Sequence, residues 1–387
     1  MALQEIRNEY ALVDLFCNLA EIPSPSLHEE KVAEWIKNYC AEHNMHAESD
    51  TYGNIYINIP ATDTSKKPIL LSAHMDVIGD DSPVKTYLEG DLIRAEGRTL
   101  GADDKAGVAN ALYFATKLNE NKDLKHGGLE LFFTRDEESG MSGIHNADFK
   151  NLKSKYVLVC DSDSLGQLEV SGASYTLVTI NIKSFKGGHS GIDIADTTRL
   201  NSGKLLAELV NDLPQGVFYQ ENGMVITSCN LGGIVAGKPE VTNIINQEGI
   251  VTYSIRSACR AKEEELKNEF LATVQQFNDK YATLAEAQLT FAEHLPPFEA
   301  DKDTFIPEVF KKAGAKAGQE VKVSSFHAGA ETHIYANQTN ANGEKFSPYL
   351  IGLATVCNMH CKEENLDYKT LLKGQELLSE IFNIYNA

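Results

Sequence analysis

Pro68-Ile69-Leu70-Leu71-Ser72-Ala73-His74-Met75-Asp76 is the stretch on which the fold turns. It reads as a strand that runs straight into a His-x-Asp turn. Two later stretches repeat the arrangement. Leu129-Glu130-Leu131-Phe132-Phe133-Thr134 leads to Asp136-Glu137-Glu138, and Tyr156-Val157-Leu158-Val159-Cys160 leads to Asp161-Ser162-Asp163. In an open α/β sheet, functional groups gather beyond the carboxyl ends of the strands. Carboxylates and imidazoles converging there repel one another or stay hydrated unless a cation joins them. The pattern therefore points to a metal site with more than one ion.

Working outward, residues 4–20 and 28–43 have helical spacing, separated by Pro23-Ser24-Pro25-Ser26. Ser26 is placed as an N-cap, with Glu29 positioned to complete a capping box. Residues 54–59 alternate as a strand, and residues 107–118 form a helix opened by Gly101-Ala102-Asp103-Asp104. Strands alternating with helices predict a three-layer α/β domain. The character changes after Ser174. Strands at 175–185, 223–231, 249–258 and 287–292, with helices at 198–213 and 262–283, give the order β-α-β-β-α-β of a ferredoxin-like α+β unit. A helix at 303–317, a strand at 349–356 and a helix at 368–385 return to the first domain. The expected division is 1–173 with 299–387 for the catalytic domain and 174–298 for the insert.

The chain has 387 residues, enough for two domains. Lys and Arg total 35 against 55 Asp and Glu, a net charge of −20. That balance argues against nucleic acid and anionic membranes as partners. No apolar run is long enough to span a bilayer, and the first twenty residues read as an amphipathic helix rather than a signal peptide. Seven scattered cysteines are not a disulfide framework, which favours a reducing cytoplasm.

Each candidate also has a plain structural reading. His74 could be a core histidine, Asp103 a helix N-cap, Glu137-Glu138 solvated surface charge, and Asp161 a turn cap. Their joint occurrence at strand ends and a helix start favours metal.

Ser72-Ala73-His74-Met75-Asp76, Gly101-Ala102-Asp103-Asp104-Lys105-Ala106-Gly107 and Asp136-Glu137-Glu138-Ser139-Gly140 occur in that order. Together they resemble the co-catalytic zinc peptidases and amidohydrolases, the family that includes peptidase T, the Xaa-His dipeptidases and the acetylornithine deacetylases. Gly101 to Gly107 looks most like peptidase T. Lys186-Gly187-Gly188-His189-Ser190-Gly191 and His327-Ala328-Gly329-Ala330-Glu331 look more like the Xaa-His dipeptidases.

The resemblance implies a zinc-peptidase (phosphorylase/hydrolase-like) catalytic domain with an inserted ferredoxin-like lid that also dimerises. It implies two zinc ions, or another divalent metal, per chain. His74, Asp103 and Asp161 would hold one ion, and Asp103, Glu138 and His360 the other. His360 is identified by the His-x-x-x-Glu pattern it forms with Glu364. Asp76 would orient His74, and Glu137 would be the general base. The Asp103–Asp104 peptide would be cis. On the insert, His189 would reach the site of a neighbouring subunit, and Arg256 would clamp a substrate carboxylate. Asn243 lies in Thr242-Asn243-Ile244-Ile245, which resembles a substrate-contacting segment, although Asn246 stands where the family usually has Pro. His327 and Glu331 would line the substrate side, in place of the Gly-Gly-Thr/Ser-Asp type segment of peptidase T relatives. The implied activity is removal of the N-terminal residue from short peptides. A dipeptidase or an N-acyl amino-acid amidohydrolase with the same metals is the nearest alternative, and a non-catalytic metal-binding scaffold is a more distant one.

Overall fold

The computed structural model describes residues 2–387 and resolves two compact units. The first comprises Met1–Val170, Ala300–Ser324 and Ala330–Ala387; the second comprises Ser171–Glu299 and Ser325–Gly329.

The first unit is organised on an eight-stranded mixed sheet. Its order is Ala47–Ser49, Ile55–Ile59, Leu129–Thr134, Ile69–His74, Tyr156–Val159, Ser347–Ile351, Gln167–Gly172 and Lys322–Phe326. Ile69–His74 pairs in parallel with both Leu129–Thr134 and Tyr156–Val159, and Ser347–Ile351 continues the parallel run. Every residue of Ile69–His74 and of Leu129–Thr134 is buried. A parallel strand covered on both faces needs a continuous apolar run, which is why these segments do not alternate. The core joins Leu71, Leu131 and Phe133 to Val108 and Leu112 of the helix Ala102–Glu120 and to Leu378 and Phe382 of Tyr368–Tyr385.

Three local expectations change. The helix expected at 4–20 is two helices, Leu3–Glu9 and Ala11–Ala20, because Tyr10 adopts an extended conformation between them. The strand expected at 349–356 splits into Ser347–Ile351 and Thr355–Cys357, which belong to different sheets. The break falls at Gly352, where an added Cβ would lie 1.8 Å from the Ser164 carbonyl oxygen, so only glycine fits the close approach. Ser26 is not an N-cap. The helix begins at Glu30 with Glu29 as its cap residue, and the Ser26 hydroxyl donates instead to Asp76 Oδ2 at 2.8 Å.

The second unit is a five-stranded antiparallel sheet in the order Gly216–Glu221, Met224–Ala236, Glu248–Ser257, Tyr175–Ser184, Ala285–Leu295. Ser202–Asp212 and Arg260–Tyr281 cover one face and build a separate core around Val178, Ile180, Leu206, Tyr253 and Phe270. This is the expected ferredoxin-like pattern plus one edge strand, Gly216–Glu221, which the sequence reading passes over. Its burial pattern shows no buried residue, so the periodic signal of a half-buried strand is missing. Ser325–Gly329 also belongs here. The Ser325 hydroxyl donates to the Ser171 carbonyl at 3.2 Å, and the Ala173 N–H donates to the Phe326 carbonyl at 3.2 Å.

Candidate metal centre and its surroundings

The three strand ends and the start of the long helix bring five expected ligands together in the first unit. His74 closes Ile69–His74, and Glu138 follows Leu129–Thr134. Asp161 follows Tyr156–Val159, Asp103 sits at the start of Ala102–Glu120, and His360 lies between Thr355–Cys357 and Asn365–Asp367. Asp103 is central. Its Oδ1 is 3.2 Å from His74 Nε2 and its Oδ2 is 3.1 Å from His360 Nε2. His74 Nε2 also lies 3.7 Å from Asp161 Oδ1, and His360 Nε2 lies 3.1 Å from Glu138 Oε2. Donor atoms of His74, Asp103 and Glu138 all fall within 4.8 Å of one another, as do those of His74, Asp104 and Asp161.

The helix start explains how Asp103 is presented. Asp103 (φ −84°, ψ 107°) and Asp104 (φ −112°, ψ 34°) leave helical geometry, and the peptide between them is cis. The N–H groups of Gly101, Ala102 and Asp103 donate to the Glu364 carboxylate at 2.8, 2.9 and 3.2 Å. The Thr99 hydroxyl donates to the same group. Glu364 thus caps the N–H groups that open the turn, while Asp104 Oδ1 accepts the Gly107 N–H at 3.1 Å. Gly107 lets the helix approach the sheet, since a Cβ there would meet the Cys160 carbonyl oxygen at 2.7 Å.

Asp76 orders the other side. His74 Nδ1 lies 3.0 Å from the Asp76 carbonyl oxygen and 3.3 Å from Asp76 Oδ1. A proton on Nδ1 leaves Nε2 free as a ligand atom. The same carboxylate accepts the backbone N–H groups of Glu137 at 2.9 Å and Glu138 at 3.1 Å. Glu29, fully buried, accepts the Asp136 N–H at 3.1 Å and the Arg135 guanidinium at 2.5 Å. Sequence reasoning singles out Ser26 and Glu29 as a capping box and Glu364 by its spacing from His360, but not the partners that these side chains take here.

The electrostatics show what the cluster lacks. Burial raises Glu138 to about 7 and Asp161 to about 6, helped by neighbouring carboxylates. Burial also pushes Glu137 and Asp104 well above the usual carboxylate range. Burial would lower His74, but Asp103, Asp161 and Asp76 hold it well above an ordinary imidazole. The hydrogen bond that its ring donates to Asp103 raises His360 to about 9. Against its own burial, Asp103 is held low by His360 and His74. Glu138 Oε1 and Asp104 Oδ2 are buried with no hydrogen-bonding partner. Buried carboxylate oxygens left this way, around two imidazoles, are the donor set that a divalent cation satisfies.

Glu331 is expected on the substrate side, but its carboxylate is 1% exposed. Burial raises it to about 8, with His74, Asp161 and Asp76 the nearest charged influences. Among the described residues neither oxygen has a well-formed hydrogen bond, although the Thr134 hydroxyl is close enough to be the main influence lowering its pKa.

The remaining expected residues belong to the second unit. Gly188–His189 pairs antiparallel with Ile244–Ile245, and the Ser190 N–H donates to the Asn243 carbonyl at 2.9 Å, so His189 and Asn243 are neighbours. His189 Nδ1 accepts the N–H groups of Gly191 and Ile192 at 3.1 and 3.3 Å. In the neutral ring this places the proton on Nε2, leaving an exposed donor. Arg256 pairs across the sheet with Ser228, whose hydroxyl is 2.7 Å from His327 Nε2. The Arg256 guanidinium stacks 4.9 Å above the Tyr175 ring. It has no ion pair among the described residues. His327 is lowered by burial and then by Arg256.

This fold, with its cluster of carboxylates and imidazoles, is that of a known class. The chain belongs to peptidase family M20/M25/M40, which it matches over residues 70–383. Membership places it among hydrolytic metallopeptidases. It is 29% identical over 326 residues to the cytosol non-specific dipeptidase of Escherichia coli (strain K12), 72% of this chain and 64% of that protein. The match therefore spans just under two thirds of that relative's length. It is 25% identical over 316 residues to peptidase T of Geobacillus thermodenitrificans (strain NG80-2), 81% of this chain and 72% of that one. Among solved structures, the aminopeptidase PepT from Bacillus cereus ATCC 10987 shares the fold with a TM-score of 0.83 at 24% identity, covering 97% of this chain and 98% of that one. Aminoacylhistidine dipeptidase from Vibrio alginolyticus follows with 0.73 at 21% identity, covering 96% of each.

Proposed function

We propose that the chain is a dizinc aminopeptidase that removes the N-terminal residue from short peptides, tripeptides foremost, acting in the cytoplasm as a homodimer. The observation that carries the reading is Asp103, with one oxygen toward each of two histidines, beside a Glu137 whose carboxylate hydrogen-bonds neither of them. His74, Asp103 and Asp161 would hold one ion, and Asp103, Glu138 and His360 the other. When bound, the metal pair lowers the pKa of water and polarises the scissile carbonyl.

Glu137 takes up a proton from the attacking water and passes it to the leaving amine. Asp76 keeps His74 and the Glu137-Glu138 turn in register. The Nε2–H of His189, contributed by the partner subunit, would donate to the developing oxyanion. Arg256, with no carboxylate of its own to pair with, would take the substrate's free carboxylate bidentately. Asn243 and His327 would line the substrate beside them.

The cytoplasmic assignment is supported by seven free cysteines. Among the described residues, no helix is long and apolar enough to cross a membrane. A dipeptidase reading also has support, because a non-specific dipeptidase is 29% identical to this chain over 326 residues. Release of free amine from di-, tri- and tetrapeptides, each with an N-acetylated control, decides between them. Tripeptides should be cleaved fastest and acetylated peptides spared. Preferential cleavage of the acetylated set would replace the aminopeptidase with an amidohydrolase.

A further inference from the structure

A cavity of about 680 Å3 opens in the first unit, away from the metal-binding cluster. It lies at the amino ends of the parallel strands. Tyr156, in its wall, opens the strand Tyr156–Val159 that leads to Asp161. Tyr385, also in the wall, donates its hydroxyl to the Pro68 carbonyl at 3.0 Å, just ahead of Ile69–His74. From Tyr156 to Asp161 is roughly 16 Å of extended chain. Peptide hydrolysis, as derived above, uses nothing in this cavity.

Four aromatic residues line it, Phe346 and a mutually packed trio. The centroids of Tyr156 and Phe305 are 5.6 Å apart, those of Phe305 and Tyr385 5.8 Å, and those of Tyr156 and Tyr385 6.1 Å. Phe305 nevertheless remains 43% exposed. A ring anchored by two aromatic neighbours and bare on its outer side is a platform for another planar group.

Four lysines line the same cavity, against two carboxylates, Asp301 and Glu344. Asp301 is engaged by the Ser347 hydroxyl at 2.9 Å, and Glu344 by the Asn340 amide at 3.3 Å. Lys155 pairs with Asp303 at 3.1 Å, and the Lys66 ammonium donates to the Asn386 carbonyl. Lys67 and Lys345 are exposed and form no ion pair among the described residues. On a chain of net charge −20, lysines here are not outnumbered by the carboxylates around them, and the two unpaired ammonium groups attract anions.

We propose that this cavity binds a nucleoside phosphate. The base stacks on Phe305 beside Tyr156 and Tyr385, and the phosphates reach Lys67 and Lys345. Separate ammonium groups suit a multiply charged phosphate better than a single carboxylate, and the volume falls within the range of about 300–1,000 Å3 usual for small-ligand sites.

The test is calorimetric titration of the metal-loaded protein with ADP, with adenosine and pyrophosphate as half-ligands. ADP should bind more tightly than either half. Phe305→Ala should weaken ADP about tenfold, as expected for losing one stacking partner. Lys67→Glu and Lys345→Glu should each weaken ADP and flatten its salt dependence. All three variants should keep the parent's peptide hydrolysis, which separates this site from the proposed catalytic one. Phosphates also bind metal ions, so His360→Ala is the control, and ADP binding should survive it. ADP binding that is lost in His360→Ala or unchanged in Phe305→Ala would overturn the proposal. So would pyrophosphate binding as tightly as ADP, or no ADP binding up to about 1 mM.

Discussion

Asp76 Oδ1 accepts the backbone N–H of Glu137 at 2.9 Å. The carboxylate that contacts His74 is therefore also the one that sets the turn carrying Glu137 and Glu138. Asp76→Asn keeps the shape but replaces one accepting oxygen with a donor. It should weaken metal binding by about 10–100-fold, as loss of a ligand-orienting partner does. Metal titration of the purified variant checks this, and unchanged affinity would remove Asp76 from its orienting role.

Adjacent glutamates should behave differently. Glu137→Gln should retain both ions and lose about 10²–10⁴-fold in kcat, the usual worth of a general base. Glu138→Gln should instead release metal, because its oxygen is 3.1 Å from His360 and its second oxygen has no other partner. Metal content and kcat measured on both variants distinguish the roles. Equal metal loss in both would show that Glu137 is a ligand.

Glu364 receives three backbone N–H groups from the Asp103 turn. Glu364→Ala leaves them buried without an acceptor, at a cost of about 1–3 kcal/mol each if no water enters. Denaturant unfolding should show a loss of at least that order, with weaker metal binding. A variant as stable as the parent would mean the turn is held by other contacts.

The metal-free protein should become less stable as pH rises from about 5 to 7. Asp161 at about 6, Glu138 at about 7 and Glu331 at about 8 are all raised, chiefly by burial. The folded state prefers their protonated forms, so their contribution is full below the unfolded carboxylate range and is lost as pH climbs through the folded values. His360, raised to about 9 by Asp103, contributes fully below the ordinary imidazole range and loses its contribution as pH rises through 9. Asp103 acts oppositely, but only at acid pH. Lys105, buried and lowered to about 7, works the other way above pH 7, so Tm should fall without metal between pH 5 and 7, and added zinc should raise it more at pH 7 than at pH 5. A metal-free Tm that climbs with pH would contradict the burial of these groups.

His189 and Glu137 offer a test of a shared site. Inactive His189→Ala and inactive Glu137→Gln chains, allowed to exchange subunits, should regain activity, since one site of the mixed dimer would combine an intact Glu137 with an intact His189. Proven exchange without recovery would end the proposal that His189 acts across a dimer. In parallel, Arg256→Ala should impair free-acid peptides far more than their amides.

Much of this was readable from residue order. Continuous apolar runs ending in His74, Glu137-Glu138 and Asp161 specify buried parallel strands with acidic carboxyl ends, because a strand covered on both faces has no polar side to display. The Gly101–Gly107 turn marked the helix start that carries Asp103. What residue order could not reveal was the use of long-range acceptors. Ser26 and Glu29 have the spacing of a capping box, yet their side chains turn to Asp76, Asp136 and Arg135. Glu364 caps a turn more than 260 positions earlier in the chain. Local spacing reports which backbone groups need partners, but only the folded chain decides which distant carboxylate reaches them first. The cavity between Tyr156, Phe305 and Tyr385 is likewise a product of tertiary packing, for its walls come from segments with no shared periodicity.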